Sequence, residues 1–187
     1  MLDLDFILQC LHCIPIDGET QMTTAAEKFM KHPWERYAVP DTEISADFPG
    51  EPLIDEDTEE EAESVTLYLH QSYSGVEVSF DLTVGLDQTF DAPSSEALAQ
   101  RLEEQLRGNK DVRVLSVKPR PLGDTCGAVQ HVQIKSTGDF LLQWIIAAEE
   151  YTVFSGVTVP DPQLLPVAER FLSSISLSDE TQDASAE

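Results

Sequence analysis

Phe140-Leu-Leu-Gln-Trp144-Ile-Ile-Ala-Ala-Glu-Glu150-Tyr-Thr-Val-Phe-Ser-Gly-Val-Thr-Val159 sets two apolar, β-prone runs on either side of Glu149-Glu150. Two adjacent carboxylates in the middle of such a segment belong in water. The flanking β-branched and aromatic residues favour extended chain, so the stretch predicts a hairpin with its tip at the glutamates. Side chains alternate along a strand, which puts Leu142, Trp144 and Ile146 on one face and Leu141, Gln143 and Ile145 on the other. Both faces carry apolar groups. Such a strand is either covered by a helix on each side or leaves one face open to a partner. The covered arrangement is preferred here, because the chain supplies helices to do it. In the open arrangement, Trp144, Leu142 and Ile146 are the candidate partner-binding side chains.

Downstream, Pro160-Asp161-Pro162 turns the chain, and Leu164, Leu165, Ala168, Phe171 and Leu172 recur at helical spacing. Proline is tolerated in a first turn but costs about 3 kcal/mol deeper in a helix, so the regular helix is expected to start near Pro166. The segment closes on Phe171-Leu-Ser-Ser-Ile-Ser-Leu177, and the acidic tail beyond it is expected to be disordered. Upstream, Val112–Lys118 and Ala128–Lys135 read as strands. Asp91-Ala-Pro93-Ser-Ser opens a helix with the stripe Leu98, Leu102, Leu106, which closes at Arg107-Gly108. Val65, Leu67 and Leu69, then Val76, Val78, Phe80, Leu82 and Val84, alternate with polar residues and predict an antiparallel pair with one buried face.

From Glu51 to Glu63, eight of thirteen residues are acidic and none is basic. This run is expected to be a mobile loop. Before it, Trp34–Pro52 carries Pro-Asp and Pro-Gly turn signals between apolar alternations and reads as an opening hairpin or bent edge strand. Thr24-Ala-Ala-Glu27 has the spacing of a capping box that opens a short helix, so folding is expected to begin near Met22, with residues 1–21 a peripheral arm. The sum is about seven antiparallel strands with helices in mid-chain and near the end. The fold class expected is α+β, an antiparallel β-sheet with helices packed on it, forming a single domain over residues 22–177.

Thirty-five acidic residues against eleven basic ones leave a net charge of −24, which repels nucleic acid and anionic membranes and favours a basic protein partner. Three cysteines in 187 residues make no disulfide framework. The N-terminal apolar run opens with aspartates and falls well short of the ~20 residues that span a bilayer. A cytoplasmic location is expected. Cys10-Leu-His-Cys13 has metal-ligand spacing but no second pair to complete a zinc site. The acidic run lacks the alternation that aims carboxylates at calcium. No nucleophile elbow, zinc-protease helix or phosphate-binding loop occurs, so no catalytic residue, metal or cofactor is assigned.

Tyr37-Ala-Val39-Pro40, leading to Phe48-Pro49-Gly50-Glu-Pro52, is followed in order by the hairpin Leu141–Val159 and by Phe171-Leu-Ser-Ser-Ile175. Over Trp34–Leu177 this order resembles the Mog/PsbP/DcrB-like fold, whose members include PsbP, DcrB-type lipoproteins and adaptor-chaperones of type VI secretion. The resemblance implies an α/β/α sandwich and a non-enzymatic accessory, adaptor or chaperone role, in a bacterial secretion or toxin context. It transfers no binding residue. The alternatives kept open are a toxin-immunity protein and a small enzyme or ligand-binding domain with a pocket between sheet and helix. Glu59, Glu60 and Glu61 are the candidate steering residues for a basic partner.

Overall fold

The computed structural model describes residues 18–59, 62–86 and 92–177. In chain order the elements are α1 (Gly18–Lys31), β1 (Glu35–Ala38), β2 (Ile44–Phe48), β3 (Leu53–Glu59), β4 (Ala62–Tyr73), β5 (Val76–Leu86), α2 (Ser95–Gly108), β6 (Val112–Pro119), β7 (Cys126–Ile134), β8 (Phe140–Ala147), β9 (Tyr151–Val159), α3 (Leu165–Ser174) and β10 (Ser176–Leu177). The class is α+β, as expected.

The hairpin β8–β9 lies near the middle of a seven-stranded sheet of order β3-β4-β5-β9-β8-β7-β6, in which every neighbouring pair is antiparallel. Its strands are apolar on both faces because both faces are covered there. On one face Leu142, Trp144 and Ile146 join Val78, Phe80, Leu82, Val153 and Val157 in the main core, under α1 and α3. On the other, Ile145 and Ala147 meet Leu98, Ala99 and Leu102 of α2, together with Ala128 of β7. The covered arrangement therefore holds, and the expected α/β/α layering is present at this end of the sheet.

Helix α2 starts where Ser94 accepts a hydrogen bond from the Ala97 N–H at 3.2 Å, satisfying a free first-turn donor. Before α3, Asp161 caps a 3-10 turn over Pro162–Leu164, and Pro166 falls in the helix's first turn, where its missing N–H costs nothing. Helix α3 bridges to a second sheet of order β1-β2-β10. Phe171 stacks edge-on against Phe48 of β2, with centroids 5.0 Å apart, and against Phe80 of β5 at 5.5 Å. Phe80 in turn meets Phe29 of α1 and Trp34. Aromatic rings thus pin both helices and both sheets at one point.

Three expectations are corrected. The acidic run is not a loop over Leu53–Glu59, where it forms β3, paired with β4 from Leu53↔Tyr68 to Glu59↔Ala62. Aspartate and glutamate disfavour strands, but an edge position lets water reach their carboxylates while β4 supplies the pairing partner. Thr24 does not open α1. The helix starts at Gly18, since Glu19 and Gln21 are good helix formers and extend it a turn and a half earlier. Among the described residues ten strands replace about seven, the additions including β3 and the two-residue β10, which pairs with β2. The expected arm up to residue 17 and the tail after Leu177 lie outside the described residues.

Candidate partner-binding edge

Leu142, Trp144 and Ile146 are 5%, 3% and 0% exposed. They are core residues, and the docking surface conditionally placed on them does not exist. Trp144 is further fixed by donating its indole N–H to the Arg120 carbonyl at 2.8 Å, while the Arg120 guanidinium lies 4.5 Å over its ring. Trp34 is held in a parallel manner: it donates to the Phe29 carbonyl at 2.9 Å and sits under Arg170 at 4.3 Å.

Among the described residues the most exposed large apolar side chains, ahead of Met30 of α1 and Leu115 of β6 at 42% and 40%, are instead on β3, where Leu53 is 61% and Ile54 56% exposed. These adjacent residues point to opposite faces, followed by exposed Asp55 and Glu56, again one on each face. Among the described residues no group of three or more His, Cys, Asp or Glu is placed to hold a metal ion. Cys10 and Cys13 fall outside those residues. Glu59 ends β3, opposite Ala62; Glu60 and Glu61 lie outside the described residues.

The apolar pair on β3 escaped the sequence reading because Leu53 and Ile54 were absorbed into an acidic run. Two adjacent apolar residues at the head of such a run were the available signal.

At the other end of the sheet the charge reverses. Lys110, Arg113, Lys118, Arg120 and Lys135, five of the eleven basic residues, lie on or beside β6. A cleft of about 370 Å³ there is lined by Ser116, Lys118, Arg120, His131 and Glu169 over Val129 and Leu142. Its charged groups are largely committed to structure. Arg120 donates to Glu169 at 3.2 Å and to Ser173 at 3.0 Å, and burial lowers the His131 pKa, the Glu169 charge pulling the other way. Glu149 and Glu150 occupy the exposed β8–β9 tip, as expected, with Ala148 donating to the Tyr151 carbonyl at 3.0 Å. No described helix is long and apolar enough to cross a membrane.

No family model matches the chain, and no curated protein does. Among solved structures it is similar to the solution structure of cyanobacterial PsbP from Synechocystis sp. PCC 6803, at 6% identity, covering 79% of this chain and 94% of that one, with a TM-score of 0.49. It is similar also to the apo form of the T6SS immunity protein TplEi from Pseudomonas aeruginosa, at 9% identity, 80% and 98% coverage and a TM-score of 0.47. A protein of unknown function from the same organism is 18% identical over 71% of this chain and 86% of its own, with a TM-score of 0.44. PsbP, the fold the sequence resembles, is thus among the similar structures. All three TM-scores lie below 0.5, so the functional reading rests on this chain's own residues.

Proposed function

We propose that this chain is a non-enzymatic protein-binding module, an accessory or adaptor protein that recognises a basic partner at the β3 edge. The observation that carries this reading is the exposed pair Leu53 and Ile54 beside the exposed carboxylates Asp55 and Glu56 on a terminal strand. Apolar contact supplies affinity, while the carboxylates speed encounter with a basic surface and turn acidic ones away. Glu59, Glu60 and Glu61 continue the same run and are assigned to steering. A cytoplasmic location and a bacterial secretion or toxin setting belong to this proposal.

The test compares wild type with an Asp55→Lys/Glu56→Lys double variant as bait in native lysate, at low and raised salt. A stoichiometric basic partner is expected on wild type at low salt, released by salt and lost from the variant, with the melting temperature of the two baits alike. Replacing Glu59, Glu60 and Glu61 with glutamine should slow association without changing stability. Equal retention by the charge-reversed bait overturns the reading.

A further inference from the structure

We infer that the partner docks by adding a basic, extended segment to β3 as an eighth, antiparallel strand of the large sheet. This rests on the protein-binding reading above and specifies its geometry.

The two edges of the sheet are built differently. Edge β6 carries the devices that keep foreign strands off: a register shift between Val114 and Ser116, exposed Arg113 and Lys118, and Pro119 at its end. Edge β3 has none of them. Its pairing with β4 runs unbroken over seven residues, with no bulge and no proline, lysine or arginine inside it. Among the described residues no backbone hydrogen bond reaches its outer side, so a row of N–H and C=O groups is open to another chain. Its one guard is negative charge. That charge repels acidic strands, further copies of this −24 chain among them, and leaves the edge open to a strand bearing lysine or arginine.

Register then gives the partner's pattern. Leu53 and Ile54 present one apolar side chain to each face, and Asp55 and Glu56 one carboxylate to each. Cross-strand neighbours on one face lie ≈ 4.5–5.5 Å apart at Cβ, close enough for ion pairs and apolar contact. Every neighbouring pair in this sheet is antiparallel, the slightly more stable arrangement per residue. An antiparallel partner therefore reads basic-basic-apolar-apolar from its N-terminus, its last two residues meeting Ile54 and Leu53. Main-chain bonds supply affinity, and the alternating side chains supply selection.

The probe is a fluorescein-labelled ten-residue peptide with Lys-Arg-Val-Ile at its centre and threonine flanks, titrated against the full chain by anisotropy. Its companions are a peptide with the central four residues reversed and two peptides N-methylated on alternate backbone amides. Strand addition predicts that one N-methylated peptide binds at least tenfold more weakly than the parent while the other binds as the parent does, because alternate amides face β3 and solvent. It predicts also that the reversed peptide is about tenfold weaker and that Asp55→Lys/Glu56→Lys removes binding. If both N-methylated peptides match the parent while charge reversal still abolishes binding, strand addition is overturned and the protein-binding reading stands. If charge reversal has no effect on peptide or lysate partner, both fall. Sedimentation showing self-association that is lost in Arg113→Glu/Lys118→Glu overturns the proposal by making β6 of a second copy the occupant. Failure of every peptide to bind overturns it as well.

Discussion

Asp81 sits on β5 opposite Tyr68 and Gly156, on the face of the sheet away from the main core. Its carboxylate lies in the space a side chain at residue 156 would take: a Cβ on Gly156 would stand 3.1 Å from both carboxylate oxygens. Burial raises the Asp81 pKa to about 6, a backbone hydrogen bond from Gly156 pulling the other way. The folded chain therefore holds this proton more tightly than the unfolded chain does. Asp81 contributes its full stability below about pH 4, and the contribution is lost as pH rises through about 6. Asp81→Asn should stabilise the protein by about 2 kcal/mol at pH 7.5 and by close to nothing at pH 4, measured by urea unfolding. A gap that is the same at both pH values would mean that the charge of Asp81 is not what costs stability.

Gly127 is constrained by space and not by φ. A Cβ there would overlap the Arg120 carbonyl oxygen and come within 2.9 Å of the Trp144 indole nitrogen, so it would break the bond between them. The Gly127 N–H is also held by Ser95 at the start of α2, at 3.0 Å. Gly127→Ala is expected to cost about 3 kcal/mol and to shift the tryptophan emission as Trp144 loses its partner. Unchanged unfolding would show that β6 and β7 slide apart freely at this point.

At the scale of elements, α3 is the part that makes one body of two sheets. Val167, Ala168, Phe171 and Leu172 are buried on it, and Phe171 touches rings from both sheets. Its last residue, Ser174, receives the Asp47 N–H at 2.9 Å, and the chain leads on into β10, where Ser176 accepts from Arg36 at 2.7 Å. Phe171→Ala should lose about 3–5 kcal/mol, the usual range for an excised core phenylalanine, with β1-β2-β10 losing amide protection first. Hydrogen exchange resolved by segment would check the order. Equal loss of protection in α2, which packs on the far face in a separate apolar cluster, would contradict the assignment of α3 as the bridge.

For the whole molecule, charge is sorted along the sheet. The β3 edge holds Asp55, Glu56, Asp57 and Glu59, and the β6 edge holds Arg113 and Lys118 with Arg120 beyond its end. Net charge alone foretells repulsion from nucleic acid; its placement gives the two edges of the sheet opposite electrostatic character. That placement comes from the strand order, which sends β3 and β6 to the two ends although 52 residues separate Glu59 from Val112 along the chain.

How far the chain could be read depended on whether the stabilising contacts were local. Strands β4, β5 and β7–β9, the start of α2 and the placement of Pro166 in the first turn of α3 follow from alternation, a capping serine and proline position, all set within a few residues. The sequence by itself determined the α+β class, the hairpin tip at Glu149-Glu150 and the strong excess of negative charge. Only the tertiary structure decided that Asp- and Glu-rich residues 53–59 would be a strand, because β4 overrides their weak propensity. It also decided that Ser176 and Leu177 would pair with β2, more than 130 positions away, and that Trp144 would be core while Leu53 and Ile54 stand in water. A strand's two faces follow from alternation alone, but which neighbour covers each face, and which strand is left at the edge, depend on non-local packing that no short window of sequence contains.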